Sequence, residues 1–249
     1  MILAALADLV NRRPWRVLLV ALVITAVVAP IGLHVREQLK PRGFDVAGSG
    51  SATGVLIGAL LEVICAAGIV GTAAALFPVV KRYREGGAIA YVGLRTLEAG
   101  VILVGVASLL AVVTLRQHAA GAASADMSSI VTVGQGLVAV HDWTFLLGPN
   151  FVCAADTLVL AYAMWRSRLI PRFIAGLGLA GGSMLFVSAT AVLFGAYQQV
   201  SLPGAVAPLP VFAWELSLAI FLIAKGFRPA MADRGDGIPS DRPAALTAA

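Results

Sequence analysis

The sequence is poor in charge, and this scarcity excludes an ordinary soluble protein. Only 12% of its 249 residues are charged, whereas 59% are hydrophobic, and its mean hydropathy is +0.92. A typical soluble domain has about 25% charged residues. This chain therefore has too few polar side chains to cover a globule in water. The composition predicts an integral membrane protein whose apolar exterior is solvated by the lipid bilayer.

Cysteine and the common catalytic motifs are also scarce. The only two cysteines, Cys65 and Cys153, fall in apolar stretches, and neither has the Cys/His spacing of a zinc or haem site. We predict two inert, reduced thiols, no metal site and no cofactor. The sequence has no phosphate loop, nucleophile elbow, HExxH motif or EF-hand loop. Its basic clusters lack interleaved aromatics, which argues against nucleic-acid binding.

Six apolar stretches reach the roughly 20 residues that a helix needs to cross a bilayer. They lie near 15–35, 55–80, 88–115, 143–165, 173–197 and 209–226. The sequence therefore predicts an all-α fold, a polytopic bundle of six transmembrane helices in one domain over residues 1–227. The Pro- and Gly-rich tail 228–249 is predicted to be disordered and cytoplasmic. Within the long connection 116–142, residues 127–140 are predicted to form a helix lying on the outer surface.

The distribution of basic residues predicts the orientation of this bundle. With the N-terminus inside, thirteen of the 18 Lys and Arg residues lie in cytoplasmic segments and four in outer loops, while Arg95 lies within a span. Cytoplasmic loops of membrane proteins are enriched in Lys and Arg. Both termini are therefore expected on the cytoplasmic side.

Several short segments resemble one family of bacterial membrane proteins. They are Phe77-Pro78-Val79-Val80-Lys81-Arg82, Ala90-Tyr91-Val92-Gly93-Leu94-Arg95-Thr96-Leu97-Glu98, the stretch Tyr162 to Arg172, Gly178 and Gly181-Gly182. In order and spacing this set is similar to the domain of unknown function 4386 family over about residues 55–225. The resemblance implies a bacterial membrane protein of about this span count, and we expect it in the plasma membrane. It implies no established activity and no catalytic residues.

Five charged residues fall inside the predicted spans: Arg95, Glu98, Asp156, Glu215 and Glu62. A charge at bilayer depth is unfavourable unless it is paired or hydrated. At a rise of about 1.5 Å per residue, Arg95, Glu98 and Asp156 lie roughly 10, 15 and 14 Å from the inner ends of their helices. Arg95 and Glu98 are three apart and share a helix face. We expect Arg95 to pair with at least one of Glu98 and Asp156.

Two interpretations of these charges stay open on sequence grounds. The residues form an ion-paired network that fixes helix packing, or they line a polar cavity for a proton, a cation or a small substrate. One Arg cannot neutralise four carboxylates. The remaining acids must be protonated, solvated or bound to a cation, which gives the functional interpretation some weight.

Other polar and small residues give weaker predictions. His141 and Asp142 lie near the outer interface, where a metal or base role is the alternative to a helix cap at Asp142. Gly148-Pro149-Asn150 should kink the fourth span. The pairs Gly54/Gly58 and Gly178/Gly182 predict close packing against neighbouring helices, with a homodimer face or a membrane-protein partner as the alternative.

Three functions are compatible with the sequence. The first is a non-catalytic membrane subunit, sensor or interaction protein with a buried Arg/acid cluster. The second is a small proton- or cation-coupled transporter or ligand-binding membrane protein. The third is an intramembrane lipid-modifying enzyme, which the lack of an Asp-rich motif or His cluster disfavours.

Overall fold

The structure, a computed structural model, describes residues 52–119 and 124–225. The predicted first span, 15–35, and the predicted tail, 228–249, lie outside these residues. Within the described ranges every regular element is a helix and there is no strand. Five helical segments among these residues are long and apolar enough to cross a membrane. The all-helical, multi-pass prediction is therefore confirmed, whereas the count of six is not.

The helices follow one another with short connections. They are α1 (Ala52–Lys81), α2 (Glu85–Ala119), α3 (Ser124–Leu146), a π-helical turn (Leu147–Val152), α4 (Cys153–Ser167), α5 (Arg172–Leu193), α6 (Leu202–Val206) and α7 (Leu209–Lys225). The predicted spans 55–80, 88–115, 173–197 and 209–226 match α1, α2, α5 and α7 to within a few residues. The predicted span 143–165 begins in the last turn of α3 and continues to the end of α4.

Helices α3 and α4 form one continuous helical segment, and this corrects two predictions. No helix-ending residue stands between Ser124 and Leu146, and the π turn carries the helix on into α4. Residues 127–140 are therefore the beginning of the third candidate span, which runs from Ser128 to Ser167, and not a separate surface helix. Asp142 lies near the end of α3 on an exposed face, so it does not cap a helix start.

Basic residues gather at one end of the bundle, which we call the basic end. They are Lys81, Arg82, Arg84, Arg166, Arg168, Arg172 and Lys225. The α1–α2 turn and α4 meet there, because the Arg84 guanidinium lies 5.6 Å from the centroid of the Tyr162 ring. Arg168 ends α4 with a left-handed backbone (φ 55°), and Pro171 starts α5, since its ring cannot continue the preceding helix.

The main hydrophobic core lies in the half of the bundle towards the basic end. Its largest fully buried side chains include Trp214, Tyr91, Leu160, Met164 and Ile170. These residues come from α2, α4, the α4–α5 turn and α7, so the core joins the spans. The outward faces carry large exposed apolar side chains such as Phe173 and Val187, as expected for a surface that contacts lipid.

Glycines on one face of α5 allow α4 and α7 to approach it. A Cβ atom at Gly178 would lie 2.6 Å from the Trp214 ring, and one at Gly182 would lie 3.0 Å from Leu158 Cγ. Gly181 meets the backbone of Pro210 in the same way. This confirms the close packing predicted for the Gly178/Gly182 pair. The face is covered by helices of the same chain, which removes it as a homodimer surface.

Candidate functional site

Arg95 lies at the centre of an ion-paired cluster contributed by three helices. Its Nη1 is 3.2 Å from Glu98 Oε2 on α2, its Nε is 3.3 Å from Asp156 Oδ1 on α4, and its Nη2 is 2.8 Å from Glu215 Oε1 on α7. The structure thus brings Arg95 together with both carboxylates that the sequence selects as its partners. Glu215, which the sequence places inside a predicted span without assigning it a partner, joins the same guanidinium.

The side chains that α2 and α4 contribute to the cluster are buried, whereas the one from α7 is partly exposed. The exposed fraction of the side chain is 8% for Arg95, 4% for Glu98, 0% for Asp156 and 37% for Glu215. The Arg95 guanidinium also lies 5.6 Å from the centroid of the buried Tyr91 ring, which adds a cation–π contact. In such a dry setting each ion pair is stronger than in water, and each unpaired charge is more unfavourable.

A close approach of two helices sets the depth of these residues. Gly148 in the π turn is buried against α2, and a Cβ atom there would lie 3.2 Å from Val101 Cγ1 and 3.4 Å from the Glu98 carbonyl oxygen. The absence of a side chain at this position lets the α4 segment lie directly on α2. Because the two helices run antiparallel, Asp156 then comes level with Arg95.

Pro149 explains why the helix changes form just before the cluster. Proline has no N–H to donate to the carbonyl four residues earlier, and its ring crowds that carbonyl. Here that carbonyl belongs to Phe145, and Asn150 Nδ2 donates to it at 3.0 Å. The helix therefore continues through a π turn, which widens it locally, where the sequence predicted a kink. Such π turns often lie next to functional sites.

The carboxylates exceed the positive charge in the cluster. If all four side chains are ionised, three carboxylates and one guanidinium give a net charge of −2. Neither carboxylate oxygen of Asp156 has a hydrogen bond among the described residues, although Oδ1 faces Arg95 Nε. Buried polar atoms are normally satisfied, so an open oxygen at this depth requires an explanation.

The other sequence-selected residues lie away from Arg95. Glu62 is a half-buried residue of α1, and no described residue forms an ion pair with it. His141 lies on α3 against Gly105 of α2, where a Cβ atom would be 3.2 Å from its Nδ1. Asp142 is exposed. His141 and Asp142 point to different sides of α3, so they form no joint site among the described residues.

Cys153 is the residue that sequence reasoning missed. One ligand atom from each of Cys153, Asp156 and Glu98 lies within 4.8 Å of the other two. Both cysteines are free thiols, as predicted. The available signal was the spacing of three between Cys153 and Asp156, which places both on one helix face. Common zinc motifs are patterns of Cys and His, so a lone thiol beside carboxylates does not match any of them.

A comparison with known protein families finds one match. The family model described as a domain of unknown function matches residues 17–226. The chain belongs to the domain of unknown function 4386 family. This confirms the resemblance seen in the sequence and extends it over the predicted first span. With five apolar helices in the part of the chain that the structure describes, the protein is a multi-pass integral membrane protein.

No curated protein matches the chain, and no solved structure does. Family membership brings no residue roles, because the family itself is described as one of unknown function. The function has to be argued from the geometry around Arg95.

Proposed function

We propose that this protein is a non-catalytic integral membrane protein, acting as a subunit, sensor or interaction protein, in which Arg95 fixes the packing of its helices. The observation that carries the proposal is the contact of one buried guanidinium with carboxylates from α2, α4 and α7. Each of the three carboxylates in this cluster is ion-paired with Arg95.

The physical argument rests on the shape of the guanidinium. Arginine offers five N–H donors in a planar arrangement, so three of its nitrogens can each face a different carboxylate. The hydrophobic effect does not drive helices together within lipid, so specific polar contacts and close packing determine their arrangement. A guanidinium shared by three helices would define both their depth and their rotation.

A second function, a proton- or cation-coupled transporter, is favoured by the excess of acid. Three carboxylates surround one Arg, and the Glu215 side chain is 37% exposed, so the cluster is accessible at α7. Carboxylates inside a membrane commonly mark ion and proton pathways. Against this function stands the burial of Asp156 and Glu98, whose side chains are 0% and 4% exposed.

Flux measurements in liposomes separate the two functions. We expect vesicles containing the purified protein to pass protons, Na⁺ and K⁺ no faster than protein-free vesicles, measured with dyes enclosed in the lumen. Asp156→Asn serves as the matched variant. Flux in the wild type that Asp156→Asn abolishes would contradict the proposal and support the transporter.

We also propose that the protein lies in the bacterial plasma membrane with both termini in the cytoplasm. The support is the gathering of basic residues at one end of the bundle, since these residues are retained on the cytoplasmic side. The turn at Gly86 would then face the cytoplasm, and the segment after α5, which contains Gln198, would face outward.

Single cysteines test this orientation. In a background with Cys65→Ala and Cys153→Ala, Gln198→Cys should react with a membrane-impermeant maleimide in intact cells. Gly86→Cys should react only after the cells are permeabilised. Both positions are exposed, and a Cβ atom at Gly86 meets nothing within 4 Å, so neither change should disturb packing. Labelling of Gly86→Cys but not of Gln198→Cys in intact cells would reverse the orientation.

A further inference from the structure

We propose that Glu98, Cys153 and Asp156 form a binding site for one divalent cation of the zinc class. One ligand atom of each residue lies within 4.8 Å of the other two. Ligand atoms around a tetrahedral Zn²⁺ lie roughly 3.5 Å apart for metal–ligand distances of about 2.0–2.3 Å. Small side-chain rotations would close the site.

The contact of two helices brings these donors together. Cys153 and Asp156 lie on one face of the first turn of α4, directly after the π turn. Glu98 faces them from α2, and the close approach at Gly148 sets the separation of the two helices. The site thus consists of two donors from one helix and one from its neighbour.

The Asp156 carboxylate provides the observation that points to a ligand. Its side chain is 0% exposed, and neither oxygen accepts a hydrogen bond from any described residue. Arg95 Nε lies 3.3 Å from Oδ1, and Oδ2 has no hydrogen-bond partner among the described residues. A wholly buried carboxylate oxygen without a donor is the environment that a bound cation would satisfy.

The charges of the cluster agree with this assignment. Glu98, Asp156 and Glu215 with Arg95 give −2 when all are ionised. A divalent cation adds two positive charges, and loss of the thiol proton on binding returns one negative charge. The net charge would change from −2 to −1, so the loaded cluster would carry less uncompensated charge in the low-dielectric interior.

The donor set determines which cation the site would take. Two carboxylates and a thiolate, with few ligands in total, suit Zn²⁺ and the softer Cd²⁺. Ca²⁺ takes six to eight oxygens, and Mg²⁺ prefers octahedral oxygen coordination, so both should bind poorly. Arg95 would hold Glu98 and Asp156 in place from the other side.

Direct binding measurements test the site in the full-length protein, purified without a polyhistidine tag and stripped of metal in detergent. Calorimetric titration with Zn²⁺ alone should show a single ion bound per chain. Cd²⁺ should produce the ultraviolet absorption of a thiolate–metal bond. Zn²⁺ should also raise the melting temperature, because a ligand bound only by the folded protein stabilises it.

Matched variants identify the ligands. Cys153→Ala should lose the bound Zn²⁺, the Cd²⁺ absorption and the Zn²⁺-dependent rise in melting temperature, whereas Cys65→Ala should keep all three. Cys153→Ala removes one half-buried sulfur and leaves Arg95 and its partners intact, so a folded variant is expected. No Zn²⁺ binding by the wild type, unchanged binding in Cys153→Ala, or equal binding of Mg²⁺ would each overturn the proposal. The packing role of Arg95 is tested separately, by the stability of Arg95→Ala rather than by metal binding.

Discussion

Replacing Arg95 with Ala is expected to lower the free energy of unfolding by about 3–5 kcal/mol, because it leaves carboxylates buried without their counter-ion. Asp156 and Glu98 would lose the guanidinium at 3.3 and 3.2 Å, and their side chains are 0% and 4% exposed. Folded yield in detergent and melting temperature should both fall sharply. The measurement is unfolding of the purified variant, followed by the loss of its monodisperse peak as temperature rises.

Removing the charges together should recover much of this loss. Arg95→Met combined with Glu98→Gln, Asp156→Asn and Glu215→Gln leaves no charge in the cluster, and neutral replacements of buried ion pairs are often well tolerated. Arg95→Lys should fall between the wild type and Arg95→Ala, since an ammonium is a point charge that cannot face three carboxylates as the guanidinium does. An unchanged melting temperature in both Arg95→Ala and Asp156→Asn would show that Arg95 does not hold the helices together.

Most of the helices could be predicted from the length of the apolar stretches, because a helix that crosses lipid must be long and almost uncharged. Predicted spans matched α1, α2, α5 and α7 on this basis. The prediction was wrong for the third candidate span, which is long but less apolar at its beginning. Residues 127–140 are less apolar than a typical span, and their sequence therefore predicts a helix on the outer surface. In the structure they pack along α2, which is itself longer than a bilayer requires.

The pairing around Arg95 was predictable from helix geometry. A spacing of three fixes Arg95 and Glu98 on one face, and a rise of about 1.5 Å per residue places Asp156 at their depth. The participation of Glu215 needed the order of the helices in space, which hydropathy does not contain. The proximity of Cys153 depended on the π turn and on the contact of Gly148 with α2, and neither follows from a periodic pattern.

The small residues on one face of α5 predict close packing against another helix, but they do not identify the neighbouring side chain. A spacing of four between Gly178 and Gly182 indicates a helix face that a neighbour can approach closely. The neighbour at Gly178 is the indole ring of Trp214, the largest fully buried side chain described. The sequence alone does not identify Trp214 as this neighbour. The fold is needed to place its ring against Gly178.

Gly178→Ala is therefore expected to destabilise the protein although alanine favours helices. The added Cβ atom would lie 2.6 Å from Trp214 Cε2 and Nε1 and 2.8 Å from Ala161 Cβ. Both neighbours are fully buried, with 0% exposure, so neither has solvent to move into. Forcing an extra carbon into such a core typically costs about 1–3 kcal/mol. The melting temperature in detergent should fall accordingly.

Gly93→Ala within α2 is the matched control. A Cβ atom at Gly93 meets nothing within 4 Å, so this substitution keeps only the helix preference of Ala, worth about 0.8–1.0 kcal/mol relative to Gly. Gly93→Ala should be neutral or stabilising. Trp214→Phe replaces the indole that faces Gly178 with a smaller ring. In this background Gly178→Ala should lower the melting temperature by less than it does beside Trp214. Such non-additivity is expected for residues in contact. Equal melting temperatures for Gly178→Ala and Gly93→Ala would contradict the packing of Trp214 against α5.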